Sequence, residues 1–170
     1  LALRAGARDL KAVPDTGEQL DWLRRLRAPA NQAFWTEASA AIAQLRDDQT
    51  PGLALRHAAI VRWVSANRPQ WLTSSRDNLY AEVKDALSKT RKHPRVSESL
   101  SGDAKELLRD WKDELSWGDL LTIRAALDIL AAPAIASACF LQADKDMLDR
   151  STEHGGLITD SGGGVAAVSF

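Results

Sequence analysis

Ser116-Trp117-Gly118-Asp119-Leu120-Leu121-Thr122-Ile123-Arg124-Ala125-Ala126-Leu127-Asp128-Ile129-Leu130-Ala131-Ala132-Pro133 is the stretch that decides the fold. Leu120, Ile123, Leu127 and Leu130 recur at helical spacing. Ser116 and Asp119 have the S-x-x-D form of a helix start, a weaker relative of the capping box. Pro133 cannot continue this helix and is well suited to open the next. On that next helix Ala136, Phe140, Ala143 and Met147 share one face. The thirteen residues Ile129–Leu141 carry no charge. A bilayer-spanning helix needs about 20 apolar residues, and Pro133 interrupts the run. The pair is therefore expected to be buried rather than to anchor the chain in a membrane.

Upstream, the same periodicity repeats between breakers. Pro14-Asp15-Thr16 supply start signals for a helix bearing Trp22, Leu23 and Leu26. Pro29 ends it and opens a second, with Phe34, Ala38, Ala41 and Leu45 stacked. Pro51 is placed to begin a third, on which Leu53, His57, Ile60 and Val64 share a face before Asn67-Arg68-Pro69 closes it. A fourth follows Thr73-Ser74-Ser75, with Leu79, Val83 and Leu87. A fifth, N-capped by Ser101 or Asp103, carries Leu107, Leu108, Trp111 and Leu115. The expected architecture is mostly α: an irregular bundle of six to seven helices over residues 15–150, behind a flexible N-terminal segment at 1–14. No internal repeat supports a solenoid.

Composition agrees with one soluble domain. The chain has 170 residues, and its 22 Lys+Arg against 23 Asp+Glu leave a net charge of −1. Such a balance gives no sequence-wide attraction to nucleic acid or anionic lipid. The single cysteine, Cys139, rules out an internal disulfide and reads as an inert buried thiol. No signal-peptide core precedes Asp9 and Lys11, so the expected location is cytoplasmic. The start at Leu1 without Met suggests a fragment or a processed chain. Among the six tryptophans, Trp22, Trp35, Trp63 and Trp111 read as core, and Trp71 and Trp117 as staples between helices. An exposed cluster of them would instead mark a partner site. His57, on an apolar face, reads as a packed, hydrogen-bonded core residue.

Beyond Asp149 the character changes. Five of the ten glycines fall in the last sixteen residues. Leu157-Ile158-Thr159 and Val165-Ala166-Ala167-Val168-Ser169-Phe170 flank Asp160-Ser161-Gly162-Gly163-Gly164, which predicts a β-hairpin over 151–170. An isolated two-stranded hairpin is marginal in water. Either the hairpin docks on the helices or the apolar finish at Phe170 is the edge of a larger sheet, and the second is the expectation.

Thr152-Glu153-His154-Gly155-Gly156-Leu157-Ile158 is the segment that speaks to chemistry. An Ala- and Leu-rich helix leads through a polar joint to Glu-x-Gly-Gly and two apolar residues. Over about residues 140–170 this resembles the opening of the JAB/MPN (JAMM) family of zinc-dependent isopeptidase-like domains. The resemblance implies that Glu153 is the general base toward a zinc-bound water, with Gly155 and Gly156 letting the strand pack close to the metal pocket. It also implies zinc ligands from a later His-x-His and a downstream Asp, and no pattern of that form follows Gly156. No cofactor is expected in this chain, and zinc would enter only in a longer protein. Taken from the residues alone, the same segment reads as an ordinary helix exit into a hairpin, where glycine is common.

Other constellations carry less. Asp160–Gly164 lacks the following helix and Lys of a phosphate loop. Residues 73–96 sum to +3, centred on Lys89, Arg91, Lys92 and Arg95, but residues 97–120 sum to −4 and can face them. The expected function is an N-terminal helical accessory region joined to the first strands of a JAB/MPN-like hydrolase, not competent by itself. The alternative is a non-catalytic helical module that binds another protein. A second alternative is a nucleic-acid-associated domain using the basic patch. The expected partner is a protein, with neither nucleic acid nor membrane.

Overall fold

The computed structural model describes residues 1–90, 108–149, 151–152, 154–160 and 165–169. Its elements are α1 (Ala2–Asp9), α2 (Gly17–Leu26), α3 (Gln32–Ile42), α4 (His57–Asn67), α5 (Arg76–Thr90), α6 (Trp117–Ala131), α7 (Pro133–Leu148), β1 (Gly156–Asp160) and β2 (Val165–Ser169). Short 3₁₀ turns at Pro29–Asn31, Asp47–Gln49, Pro69–Thr73 and Leu108–Trp111 join them. The chain is mostly α with a C-terminal β ribbon, as its periodicity predicts.

Local rules set many of the boundaries. Thr16 accepts the Gln19 amide at 3.2 Å and starts α2. Ser75 does the same for Asn78 at α5, again at 3.2 Å. Pro133 occupies the first turn of α7. At α6 the box is reciprocal: Asp119 accepts the Ser116 amide at 3.0 Å, and the Asp119 amide donates to Ser116 Oγ at 3.1 Å.

The chain forms two compact units, Leu1–Arg124 and Ala125–Phe170. In the first, α3 lies along α4, and α2 contacts both α1 and α3. Leu10, Leu23, Trp35, Ile42, Val61, Val64, Leu79, Val83, Trp117, Leu120 and Leu121 are buried there. Buried Gln49 has all its needs met: its Nε2 donates to the carbonyls of Leu72 (2.7 Å) and Ser74 (3.0 Å), and its Oε1 accepts the Arg46 amide at 2.9 Å. Trp117 Nε1 donates to the same Ser74 carbonyl at 3.0 Å. Arg124 lies over the Trp71 ring, 4.3 Å from its centroid.

In the second unit β1 and β2 pair antiparallel, from Gly156 opposite Ser169 to Asp160 opposite Val165. Both strands lie against α7. A lone ribbon needs an apolar face, and this one takes that of α7.

Several expectations are corrected. Residues 1–14, expected to be flexible, contain α1. Ala5, Gly6, Leu10 and Ala12 are buried, and a Cβ on Gly6 would lie 3.0 Å from Leu23. Trp35 Nε1 donates to Asp9 at 3.2 Å and ties α1 to α3. Pro51 does not start a helix; Gly52 follows at φ +76°, and α4 begins only at His57. Where a fifth helix was expected, the described part is a single 3₁₀ turn at Leu108–Trp111, and its expected caps Ser101 and Asp103 lie outside the described residues. Trp22 and Trp111 are exposed, whereas Trp71 and Trp117 are buried with Trp35 and Trp63. Cys139 is exposed rather than buried. The α6–α7 pair is not wholly interior, since α7 exposes Phe140, Leu141, Met147 and Leu148. Among the described residues no single helix is long and apolar enough to cross a membrane.

Leu10 and Leu3 separate these two views of the N-terminus. Leu10→Ala is expected to cost about 2–4 kcal/mol in urea denaturation, as for a filled core position. Leu3→Ala, at an exposed site, is expected to stay within about 0.5 kcal/mol.

Candidate functional site

The predicted site falls at the joint between α7 and β1. Asp149, just past the helix end, accepts from the Ser151 amide (2.9 Å) and hydroxyl (2.6 Å). The Ser151 hydroxyl and amide hold the Asp149 carboxyl down to about 2. One helical turn earlier, Asp146 accepts the His154 amide at 2.6 Å. These two carboxylates turn the chain out of the helix and into the strand. Between α7 and the incoming strand lies a cleft of about 320 Å³, lined by Cys139, Gln142, Asp146, His154, Leu157 and Ile158 among others.

Glu153, the expected base, lies outside the described residues. Gly156 opens β1 opposite Ser169. Among the described residues, a Cβ on Gly155 would meet nothing within 4 Å. Among the described residues no three His, Cys, Asp or Glu side chains converge to hold a metal. Asp146 already spends one oxygen on a backbone amide.

Of the basic patch, only Lys89 falls among the described residues. Lys89 pairs with Asp85 one turn back at 2.6 Å, a surface pair of small worth. Arg91, Lys92 and Arg95 lie outside the described residues.

The best-formed polar cluster belongs to the first unit and centres on Asp119. Its Oδ1 accepts from Arg56 Nη2 at 2.9 Å and pairs with His57 Nε2 at 3.0 Å. Its Oδ2 accepts from the Ser116 amide at 3.0 Å and hydroxyl at 2.6 Å. The Ala54 amide donates to His57 Nδ1 at 3.0 Å. That bond assigns the proton of the neutral ring to Nε2, which then donates to Asp119. Burial lowers the pKa of His57 from 6.5, outweighing Asp119, which favours the cation. Burial works against the Asp119 charge, but the hydrogen bonds from Ser116, Arg56 and His57 outweigh it and hold the carboxyl far below its ordinary range. Both His57 nitrogens and both Asp119 oxygens are engaged, and Ser116 bonds to Asp119 rather than to His57. The cluster is structural: it clamps the 52–57 segment to the start of α6. His57 was legible as a core residue, whereas its partner Asp119 lies 62 positions away.

Compared with known proteins, the chain matches no family model, no curated protein and no solved structure. Its own geometry is therefore the basis for any functional proposal.

Two tests address the cluster. A Cβ on Gly118 would sit 2.6 Å from His57 Nδ1, so Gly118→Ala is expected to lose about 1–3 kcal/mol in chemical denaturation. Stability should also fall with acid in two stages. His57 has a depressed pKa in the folded state, so stability is level above about pH 6.5 and declines below it as the unfolded chain takes up the proton first. Asp119 adds a second loss as pH falls through the ordinary Asp range near 3.8, where the unfolded carboxyl protonates and the folded one stays charged. In Tm-against-pH profiles, His57→Gln should remove the first stage and Asp119→Asn the second.

Proposed function

We propose that this chain is a helical protein-interaction module whose docking surface is α7 with its β ribbon. The observation that carries this reading is apolar exposure. Phe140, Met147 and Leu148 are 71%, 78% and 89% exposed, and Leu141, Leu157 and Ile158 are exposed beside them. Positions 140, 141, 147 and 148 fall on one stripe of α7, two helical turns apart. Scattered apolar residues on a surface are ordinary, but a contiguous stripe marks a protein contact. The occupant is a protein with a complementary apolar face. The cytoplasm, where a single cysteine stays reduced, is the location this reading takes.

A second reading is favoured by one observation, the order α7, Gly155-Gly156, β1, which is the helix-then-strand order that the JAB/MPN resemblance implies. On that reading the helices are an accessory region, Glu153 is the base, and zinc and its ligands come with further chain. Among the described residues nothing favours the nucleic-acid alternative.

A photo-crosslinking amino acid at position 141 is expected to give one discrete adduct of defined mass, while the same label at exposed Trp111 gives none. The double substitution Phe140→Ser/Met147→Ser should abolish the adduct and leave the melting temperature essentially unchanged. Unfolding of that variant would make the stripe a core face and end the proposal, as would equal labelling at both sites.

A further inference from the structure

The apolar stripe of α7 has a carboxylate at its centre. Asp144 stands three residues from Leu141 and Met147 and four from Phe140 and Leu148, the two spacings that make neighbours on a helix surface. All four of those apolar side chains are exposed, and so is Asp144. Among the described residues its carboxylate has neither an ion pair nor a hydrogen bond. Lys145 follows it in sequence but lies on another flank of the helix, since successive residues do not face each other. The wider setting is acidic too: residues 125–170 hold six acids against Lys145 and Arg150, a sum of −4.

Any partner that covers this stripe also takes Asp144 out of water, and a desolvated carboxylate without a counter-ion is costly. A wholly apolar partner leaves that cost unmet. A second copy docked symmetrically through the same face brings two Asp144 carboxylates together, a like-charge contact that opposes binding. Building on the docking role of α7 proposed above, we infer that the occupant is a protein segment with an apolar face around one cationic side chain, which pairs with Asp144. The four apolar residues supply contact area and exclude water. The carboxylate fixes the register and rejects copies of this chain. Arginine fits the central position better than lysine, because its guanidinium can engage both carboxylate oxygens. The acidic surroundings draw a basic partner in and work against anionic lipid.

The probe is a fluorescent synthetic helix with four leucines at the stripe's own spacing around a central arginine. Its twins carry glutamate or leucine at the centre. In anisotropy titrations with the full chain, the arginine helix is expected to bind at least about tenfold more tightly than the glutamate twin. Asp144→Lys should reverse that order, and Phe140→Ser/Met147→Ser should abolish binding of all three helices. In sedimentation equilibrium the wild type should stay monomeric while Asp144→Leu self-associates, its stripe now uninterrupted. These positions are exposed, so every variant should keep the wild-type melting temperature. An arginine preference that persists in Asp144→Lys would report general acidity and overturn the pairing. Equal binding of the three helices would overturn it as well, yet its loss in the double serine variant would still uphold the stripe as a docking face. Binding of none of the helices would overturn both, and so would co-sedimentation of the wild type with phosphatidylcholine vesicles that the double serine variant loses.

Discussion

One carboxylate, that of Asp119, collects four donors from three residues: Arg56, His57, and the amide and hydroxyl of Ser116. A buried or half-buried charge is costly unless its lone pairs are filled. Here they are filled by groups that would otherwise need partners of their own. Ser116 leaves an orphan amide at the start of α6, and His57 must be neutral to accept the Ala54 amide. The clamp thus solves several problems of polar burial together. It also sets where α4 begins, because the His57 ring caps the turn that precedes its own helix.

The same principle of shared partners recurs at Gln49. Its amide joins the 46–49 turn to the Leu72–Ser74 strip, and Trp117 meets the same Ser74 carbonyl. The first unit is held together by apolar packing plus two polar hubs, each spanning segments that ordinary helix periodicity cannot connect. Neither hub has the two free ends, one to take a proton and one to face a substrate, that a catalytic pair requires.

What could be read in the sequence was what is local. Thr16, Ser75, the Ser116–Asp119 box and Pro133 announce helix starts because capping acts within three or four residues. The β ribbon was legible from Gly-flanked β-prone runs. The N-terminal helix α1 escaped notice because its stability comes from contacts with α2 and α3, notably Leu10 and the Asp9–Trp35 bond, which lie far along the chain. Pro51 misled because a proline fits a turn as well as a first helical residue, and Gly52 at positive φ decided for the turn. Apolar spacing on α7 identified the helix correctly but could not say which face would be covered. At the candidate site, the sequence singled out the 152–158 joint. Asp144 gave no signal at all, because an aspartate on a helix is unremarkable until the apolar residues around it are known to be exposed.

The fit of Gly118 under the His57 ring has an evolutionary corollary. Residue 118 can gain a side chain only after residue 57 has become smaller, so the two positions are locked into an order of change. Related chains that drift apart should alter this pair jointly, leaving a correlated signature between two sites that no local pattern links.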